Sequence, residues 1–356
     1  MMNYATLQSA VRFVQETAST VATNVIEREP ISKKAALRLV STKDLSREQW
    51  LEVRKQGIGA SDAAAAVGLN PYQSALELWM IKTGRDTELP QIDPNDMDSP
   101  MYWGTLLEPM VAEAYTRKTG HKVRRVNAVL QHPDADKHWM LANLDYSVVA
   151  NESVQILECK TAGKYGAKLW EDGVPEYYQL QVQHQLAVTG KQAADICVLI
   201  CGQELQIHRI ERDDALIALL IEREREFWHC VETDTPPKAD GSDSAGKALQ
   251  ALFRRDTGEV LDFSQDAALS QAFSELNTLR QQLTAINQRE SELKQTLQQA
   301  MGDASAASFG DQGSVTWKAS KDSLVLDTKK LLAEQPELLQ SYGQIRVGSR
   351  RFLVRA

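Results

Sequence analysis

The stretch VQILECK places Glu158 and Lys160 two apart in an apolar run. On a strand that spacing puts both side chains on one face, with Leu157 and Cys159 on the other. Asp145, in ANLDYSVV of the preceding strand-like run, would bring a second carboxylate to the same face. Paired carboxylates supply the oxygen ligands that hard cations such as Mg²⁺ take. An ammonium beside them can position or deprotonate a metal-bound water for attack on phosphorus. A lone Glu-x-Lys describes a cross-strand salt bridge on a solvated face equally well. The ordered set around it favours chemistry. Glu108 stands in the first turns of a helix (WGTLLEPMVAEAY), Asp145 follows, twelve residues intervene before Glu158, and Tyr178 and Gln181 come one turn apart on the next helix.

The elements that must hold these groups are readable from periodicity. KVRRVNAVL, HWMLANLDYSVV and VQILECK, separated by HPDAD and ANES, predict a three-stranded antiparallel meander. A helix from near Thr105 to Gly120 carries Glu108, and one from about Pro175 to Thr189 carries Gln181. The hairpin ADICVLIC-GQE-LQIHRIE and an amphipathic helix from Asp213 to about Glu232 follow. Upstream, a Gly-Ile-Gly turn feeds a short Ala-rich helix stopped at Gly68, and Asn70 caps a second helix ending at Gly84. The acidic, Pro-rich stretch 86–100 reads as a long loop.

Composition sets the frame. The 356 residues suit two domains, 43% of them are hydrophobic, and the net charge of −8 argues against a protein that coats nucleic acid through bulk positive charge. Residues 241–356 hold 14 basic and 14 acidic side chains, so the acid excess lies before them. Four scattered cysteines predict packing rather than disulfides, and six histidines show no helical metal-ligand spacing, so zinc is not expected. The first twenty residues lack a signal-peptide pattern and no apolar run approaches a membrane span, so a cytoplasmic location without membrane contact is expected. Residues 1–45 read as a helical extension, 46–235 as the main domain, and 236–246 as a linker within the Pro/Gly/Ser-rich stretch 233–246. Residues 247–356 read as a C-terminal helical region with a small β-α-β tail. Its heptad seam alternates Leu269, Leu276, Leu283, Glu290 and Leu297 with Ala272, Leu279, Ile286, Leu293 and Ala300.

An acidic helix, a meander carrying D…ExK and a helix carrying Gln together resemble the PD-(D/E)xK nuclease superfamily. WLEVRKQGIGASDAAAAVGLNPY, WGTLLEP, LDYSVV, ECKT and YYQLQVQHQL are similar to the YqaJ viral recombinase and phage lambda exonuclease-like family, over roughly residues 46–235. The resemblance implies an α+β fold with a central mixed sheet, its antiparallel meander flanked by helices. It implies that Glu108, Asp145, Glu158 and the Cys159 backbone carbonyl hold one or two Mg²⁺, with Mn²⁺ as a substitute. Lys160 would activate water, and Gln181 would orient it or a ligand. Arg54 and Ser61, seven apart, match a 5′-phosphate-binding pair. Gly57 and Gly59 permit close backbone approach there, and Ser61 at a helix start favours an anion, although Ser61 or Asp62 would equally cap the short Ala helix. Gly59 stands where the family has a hydroxyl residue. A further family Arg has no counterpart, which leaves Lys164 and Lys168 as DNA contacts, with the basic stretch 117–125 as another candidate.

The implied activity is Mg²⁺-dependent 5′ to 3′ exonuclease digestion of double-stranded DNA, giving single strands for annealing-based recombination. The expected partners are DNA ends, a single-strand annealing protein and further copies of the chain in a ring, such as a trimer. An endonuclease or nickase of the same superfamily and a DNA-end-binding scaffold are the alternatives. Circular substrates and loss of cleavage on removing Lys160 discriminate among the three.

Overall fold

The structure, a computed structural model, describes residues 35–91, 93, 95–345 and 348–354. It divides into two compact units, one ending at Leu252 and the other beginning at Phe253. Most of the expected N-terminal extension, residues 1–34, lies outside the described residues. Just beyond it the helical expectation fails, because Leu37–Ser41 is strand β1.

The first unit contains two mixed sheets flanked by helices, the α+β arrangement expected. One sheet comprises β1, β2 (Ile58–Gly59), β4 (Ala128–Gln131) and β5 (Met140–Asn143), in the order β1-β4-β5-β2. The other comprises β3 (Val123–Arg125), β6 (Tyr146–Val148), β7 (Ile156–Ala162), β8 (Ala193–Ile200) and β9 (Glu204–Glu211), in the order β3-β6-β7-β8-β9. Only β2/β5 and β7/β8 run parallel.

The meander therefore differs from the expected three unbroken strands. KVRRVNAVL divides into β3 and β4, HWMLANLDYSVV divides into β5 and β6, and both change sheets at the same level. At that level the Val126 amide donates to the Asp145 carbonyl at 3.1 Å. An alternating pattern marks which residues face inward, but it does not show where a strand bends from one sheet to another. The bend places Asp145 at the break.

Helices cover both faces of β7. α4 (Pro100–Thr119) begins at Pro100 rather than near Thr105, with Ser99 as its cap, proline in the first turn, and Gly120 at φ 75° closing it. Val111, Ala112 and Tyr115 of α4 pack on Leu157 and Cys159. On the opposite face Val182 and Leu186 of α5 (Glu176–Thr189) join Ile156, Ile196 and Val198 in the larger core. Each large apolar side chain fully buried here contributes about 1.5–3 kcal/mol. α1 (Arg47–Lys55), α2 (Ala63–Ala66) and α3 (Ala75–Lys82) lead into this core, and α6 (Asp214–Glu232) packs against α5.

The boundary of the first unit lies beyond the expected linker. α7 (Asp243–Leu252) belongs to this unit, since Ala245 and Ala248 are buried and Ser244 Oγ donates to Glu77 Oε2 at 2.6 Å. Only 235–240 is an extended connector.

The second unit contains α8 (Ala267–Met301), 35 residues, and the hairpin β10 (Ala306–Ser308)/β11 (Ser314–Thr316). α9 (Thr328–Glu334) and α10 (Glu337–Tyr342) follow. The expected β-α-β tail is absent among the described residues. The GSVTWK strand pairs with the segment just before it, and residues 348–354 form no strand. The heptad positions Leu279, Leu283, Ile286 and Leu293 are exposed. Among the described residues no helix is long and apolar enough to cross a membrane.

Candidate active site

β6 pairs with only the first two residues of β7, Ile156 and Leu157. At Cys159 the ladder has ended, and its amide would be an unmet donor without the Asp145 carboxylate, whose Oδ2 accepts from it at 2.8 Å. Asp145 is thus held at the edge of β7, beside Glu158 and Lys160. Glu108 approaches from α4 on the other face.

Glu158 is almost fully buried, and both its oxygens are taken. Lys160 Nζ donates to Oε1 at 2.7 Å, Gln181 Nε2 donates to Oε1 at 2.6 Å, and Gln185 Nε2 donates to Oε2 at 2.7 Å. Lys160 also donates to Gln181 Oε1 at 3.0 Å and lies 4.5 Å from the Tyr178 ring centroid. Both Tyr178 and Gln181 therefore reach Lys160 from α5. Gln185, one turn beyond Gln181, was not singled out by sequence reasoning, although i+4 spacing on the same helix was the available signal.

α5 is fixed by a second buried polar pair. His184 Nδ1 lies 2.7 Å from Glu224 Oε1 of α6 and its Nε2 lies 3.0 Å from the Leu141 carbonyl oxygen, so both ring nitrogens face acceptors. Burial pulls the imidazole pKa down, but Glu224 outweighs it and the net shift is upward.

The carboxylates repel one another in a partly buried site. Burial, followed by the charge of Glu158, pushes Asp145 well above the usual carboxylate range. Glu108 is also raised, by burial first, with Arg125 offsetting part of the effect. For Lys160, burial acts downward, but Glu158 and Asp145 outweigh it and hold the ammonium above its ordinary value.

The donor set fits a hard divalent cation. Its ligand atoms are oxygens, Glu108 Oε1 is buried without a hydrogen bond, and a cation would relieve the mutual repulsion of the carboxylates. Among the described residues, however, no three His, Cys, Asp or Glu side chains converge on one point as a closed metal cage. Glu158 is instead turned onto Lys160 and the two glutamines.

Arg54 and Ser61 lie side by side. Arg54 Nη2 donates to Ser61 Oγ at 2.7 Å and to Asp62 Oδ1 at 2.6 Å, with its guanidinium 4.8 Å from the Trp50 ring centroid. The local setting is not the expected helix start. Ser61 lies in a single 3₁₀ turn before α2, which has only four residues and so little dipole. Nor does Asp62 cap α2 with its side chain. Its Oδ2 accepts from the Gly59 amide at 3.0 Å and from Lys82 Nζ at 2.7 Å. Burial acts to raise the Asp62 pKa, but the charges of Arg54 and Lys82 prevail and hold it down at about 2. The trio has a net charge of +1, which suits an anion. Gly59 leaves room for it, since a Cβ there would lie 3.1 Å from Asp62 Oδ2 and 3.3 Å from Arg54 Nη2.

A cleft of about 420 Å³ lies beside the carboxylates, lined in part by Lys43, Trp50, Glu108, Arg125, Asn143 and Asp145. Trp50 both lines the cleft and stacks on Arg54, so the two groups of residues are neighbours. Lys164 and Lys168 are exposed on the segment after β7, on either side of the solvent-exposed Tyr165. Within the basic stretch 117–125, Arg117 pairs with Glu113, Lys118 donates to the Leu205 carbonyl, and Arg125 pairs with Glu108.

Comparison with known proteins adds a family and several structural likenesses. Residues 49–192 match the model of the YqaJ-like viral recombinase domain. The protein YqaJ of Bacillus subtilis strain 168 is 34% identical over 316 residues, covering 87% of this chain and 95% of that protein. An alkaline exonuclease from Laribacter hongkongensis is 26% identical with a TM-score of 0.43, the overlap covering 53% of this chain and 94% of that one. A phage related exonuclease from Haemophilus somnus is 11% identical with a TM-score of 0.34, covering 50% and 96%.

Proposed function

Because this chain belongs to the YqaJ-like viral recombinase family, we propose that it is a divalent-cation-dependent nuclease of the PD-(D/E)xK type. In this reading Mg²⁺ is the cation and the enzyme digests one strand of duplex DNA from a 5′ end. The product is single-stranded DNA for an annealing partner. The observation that carries the reading is the junction where Asp145 caps the end of the β6/β7 ladder beside Glu158, Lys160, Gln181 and Glu108.

Glu108, Asp145, Glu158 and the Cys159 carbonyl would hold the cation, which when bound supplies an acidified water and neutralises charge at the phosphate. Lys160 spends two of its three N–H donors on Glu158 and Gln181, leaving one to orient the attacking water or a phosphate oxygen. Gln181 holds Lys160 and Glu158 in register, and Gln185 secures the second oxygen of Glu158. Arg54 and Ser61 would receive the 5′-phosphate, while Lys164 and Lys168 would contact the backbone further along the strand.

Digestion of end-labelled linear duplex and of covalently closed circles, in Mg²⁺ and in chelator, tests the reading. Linear DNA is expected to be degraded in Mg²⁺ alone and circles to survive. Cleavage of closed circles would establish an endonuclease instead. Arg54→Ala is expected to reduce the preference for 5′-phosphorylated over 5′-hydroxyl ends by roughly 10–100-fold, the scale of a lost charge-assisted hydrogen bond. An unchanged preference would remove Arg54 from the phosphate site.

The second unit is proposed to mediate self-association through the exposed seam of α8. A chain ending after Leu252, which retains α7, is expected to keep cleavage and lose the oligomer in sedimentation measurements. A deletion at Gly241 would instead strip a packed helix from the nuclease unit. An unchanged oligomer in the longer truncation would place the interface elsewhere.

A further inference from the structure

Arg125 lies against a residue that the nuclease reading needs for another purpose. Its Nη2 lies 3.2 Å from Glu108 Oε1, yet that oxygen accepts no hydrogen bond, so the contact is an ion pair with poor alignment. The arginine side chain is 53% exposed and the glutamate side chain 17%. A misaligned pair whose arginine is half exposed contributes little to stability and is easily exchanged. Its backbone is secured at the edge of the sheet, where Arg125 pairs with Tyr146 of β6. The side chain is thus anchored next to Asp145 while its head is loosely held.

Glu108, Asp145, Arg125 and Lys43 all line the same cleft. About 420 Å³ is within the range that small-molecule sites occupy, enough for one nucleotide unit. Without a cation, the two carboxylates would repel a phosphate entering this cleft, and Arg125 partly neutralises them. With a cation on Glu108, the guanidinium loses its partner and its N–H donors become available. The bidentate geometry of guanidinium suits a phosphate.

We propose that Arg125 is an exchangeable counter-ion, holding Glu108 while no cation is bound and turning to a DNA phosphate in the cleft when a divalent cation takes Glu108. The proposal rests on the nuclease reading and adds a linkage to it. Arg125 competes with the cation for Glu108, and the cation in turn frees Arg125 for DNA.

Calorimetric titration of the full-length protein with Mn²⁺, without DNA, tests the competition. Arg125→Gln is expected to bind Mn²⁺ at least about fivefold more tightly than the wild type, the lower end of ordinary site coupling. Arg125→Lys, which keeps a cation, should stay near the wild type. Arg124→Gln removes the same charge from the neighbouring exposed position and should stay within about twofold of the wild type. The second arm is fluorescence anisotropy of a phosphorothioate-protected duplex end, in Ca²⁺ and in chelator. Ca²⁺ should strengthen DNA binding less in Arg125→Gln than in the wild type, again by about fivefold. Equal Mn²⁺ affinity of wild type and Arg125→Gln in an enzyme that cuts DNA overturns the exchange alone. Equal tightening by Arg124→Gln also overturns it, by assigning the effect to net charge. A wild type that binds no Mn²⁺ and cuts nothing overturns the nuclease reading together with it.

Discussion

Lys160→Ala is expected to lower the rate of linear-duplex digestion in Mg²⁺ by about 10²–10⁴-fold, the range for losing a positioned proton-transfer or charge-stabilising group. Binding of duplex ends should change by less than about threefold. These expectations separate because Lys160 is a poor candidate for holding DNA. Its ammonium is half-buried against Glu158, Gln181 and the Tyr178 ring, leaving one donor for the reaction. Glu158 keeps Gln181 Nε2 and Gln185 Nε2 as donors but loses its cation, so some loss of stability is expected as well. Melting temperature therefore distinguishes a chemical defect from a folding one. Single-turnover digestion and anisotropy binding, on the same preparation, are the measurements. Retention of more than about a tenth of wild-type cleavage would remove Lys160 from the chemistry. A wild type inert towards linear DNA would favour an end-binding scaffold.

The site was legible where its logic is local. Alternation along VQILECK puts Glu158 and Lys160 on one face, and helical spacing puts Tyr178 and Gln181 on one side of α5; both sets meet in the structure. Asp145 is less local. Its place in a strand-like run suggested an inward carboxylate, but its hold on the Cys159 amide depends on β6 ending where it does. Lys82 and Arg125 were illegible for a further reason. Each reaches its carboxylate partner from a different element, and no short-range period relates Lys82 to Asp62 or Arg125 to Glu108.

The same limit applies to the fold. In KVRRVNAVL the apolar phase slips once, Val123 and Val126 being three apart, but a slip alone does not show that the chain leaves one sheet for the other. The reading of 233–246 as one linker failed because DSAG contains small residues, which in a loop signal flexibility and in α7 allow Ala245 and Ala248 to pack closely. The tail failed in the opposite sense. Its β-like composition forms no strand over 348–354, although the two-stranded β10/β11 sheet has unpaired outer edges.

Asp62→Asn is expected to destabilise the protein by about 3–5 kcal/mol at pH 7, the cost of leaving buried charge uncompensated. The Lys82 side chain is only 2% exposed, and without the carboxylate its ammonium keeps the Arg54 carbonyl, at 2.8 Å, as an acceptor but has no anion. Arg54 loses its ionic partner at the same time, and the two cations then repel each other. The pH dependence follows from the depressed Asp62 pKa, about 2 against an ordinary 3.8. A depressed carboxylate stabilises the fold fully above its unfolded value, and that contribution is lost as pH falls through the folded one. This part amounts to about 2 kcal/mol, so the gap between wild type and variant should narrow by about that much between about pH 4 and pH 2. The remainder at neutral pH reflects stranded Lys82, which a second change isolates. Asp62→Asn combined with Lys82→Met should recover part of the loss, because removing the orphaned charge costs less than keeping it buried. Urea melts at pH 7 and pH 3 measure both effects. A single variant as stable as the wild type, or a double variant no better than the single one, would show that the Arg54-Asp62-Lys82 trio does not hold this corner together. If the trio does hold it, Asp62→Asn should also weaken discrimination between phosphorylated and hydroxyl ends in the folded fraction, because Arg54 would keep its charge but lose the carboxylate that fixes its direction.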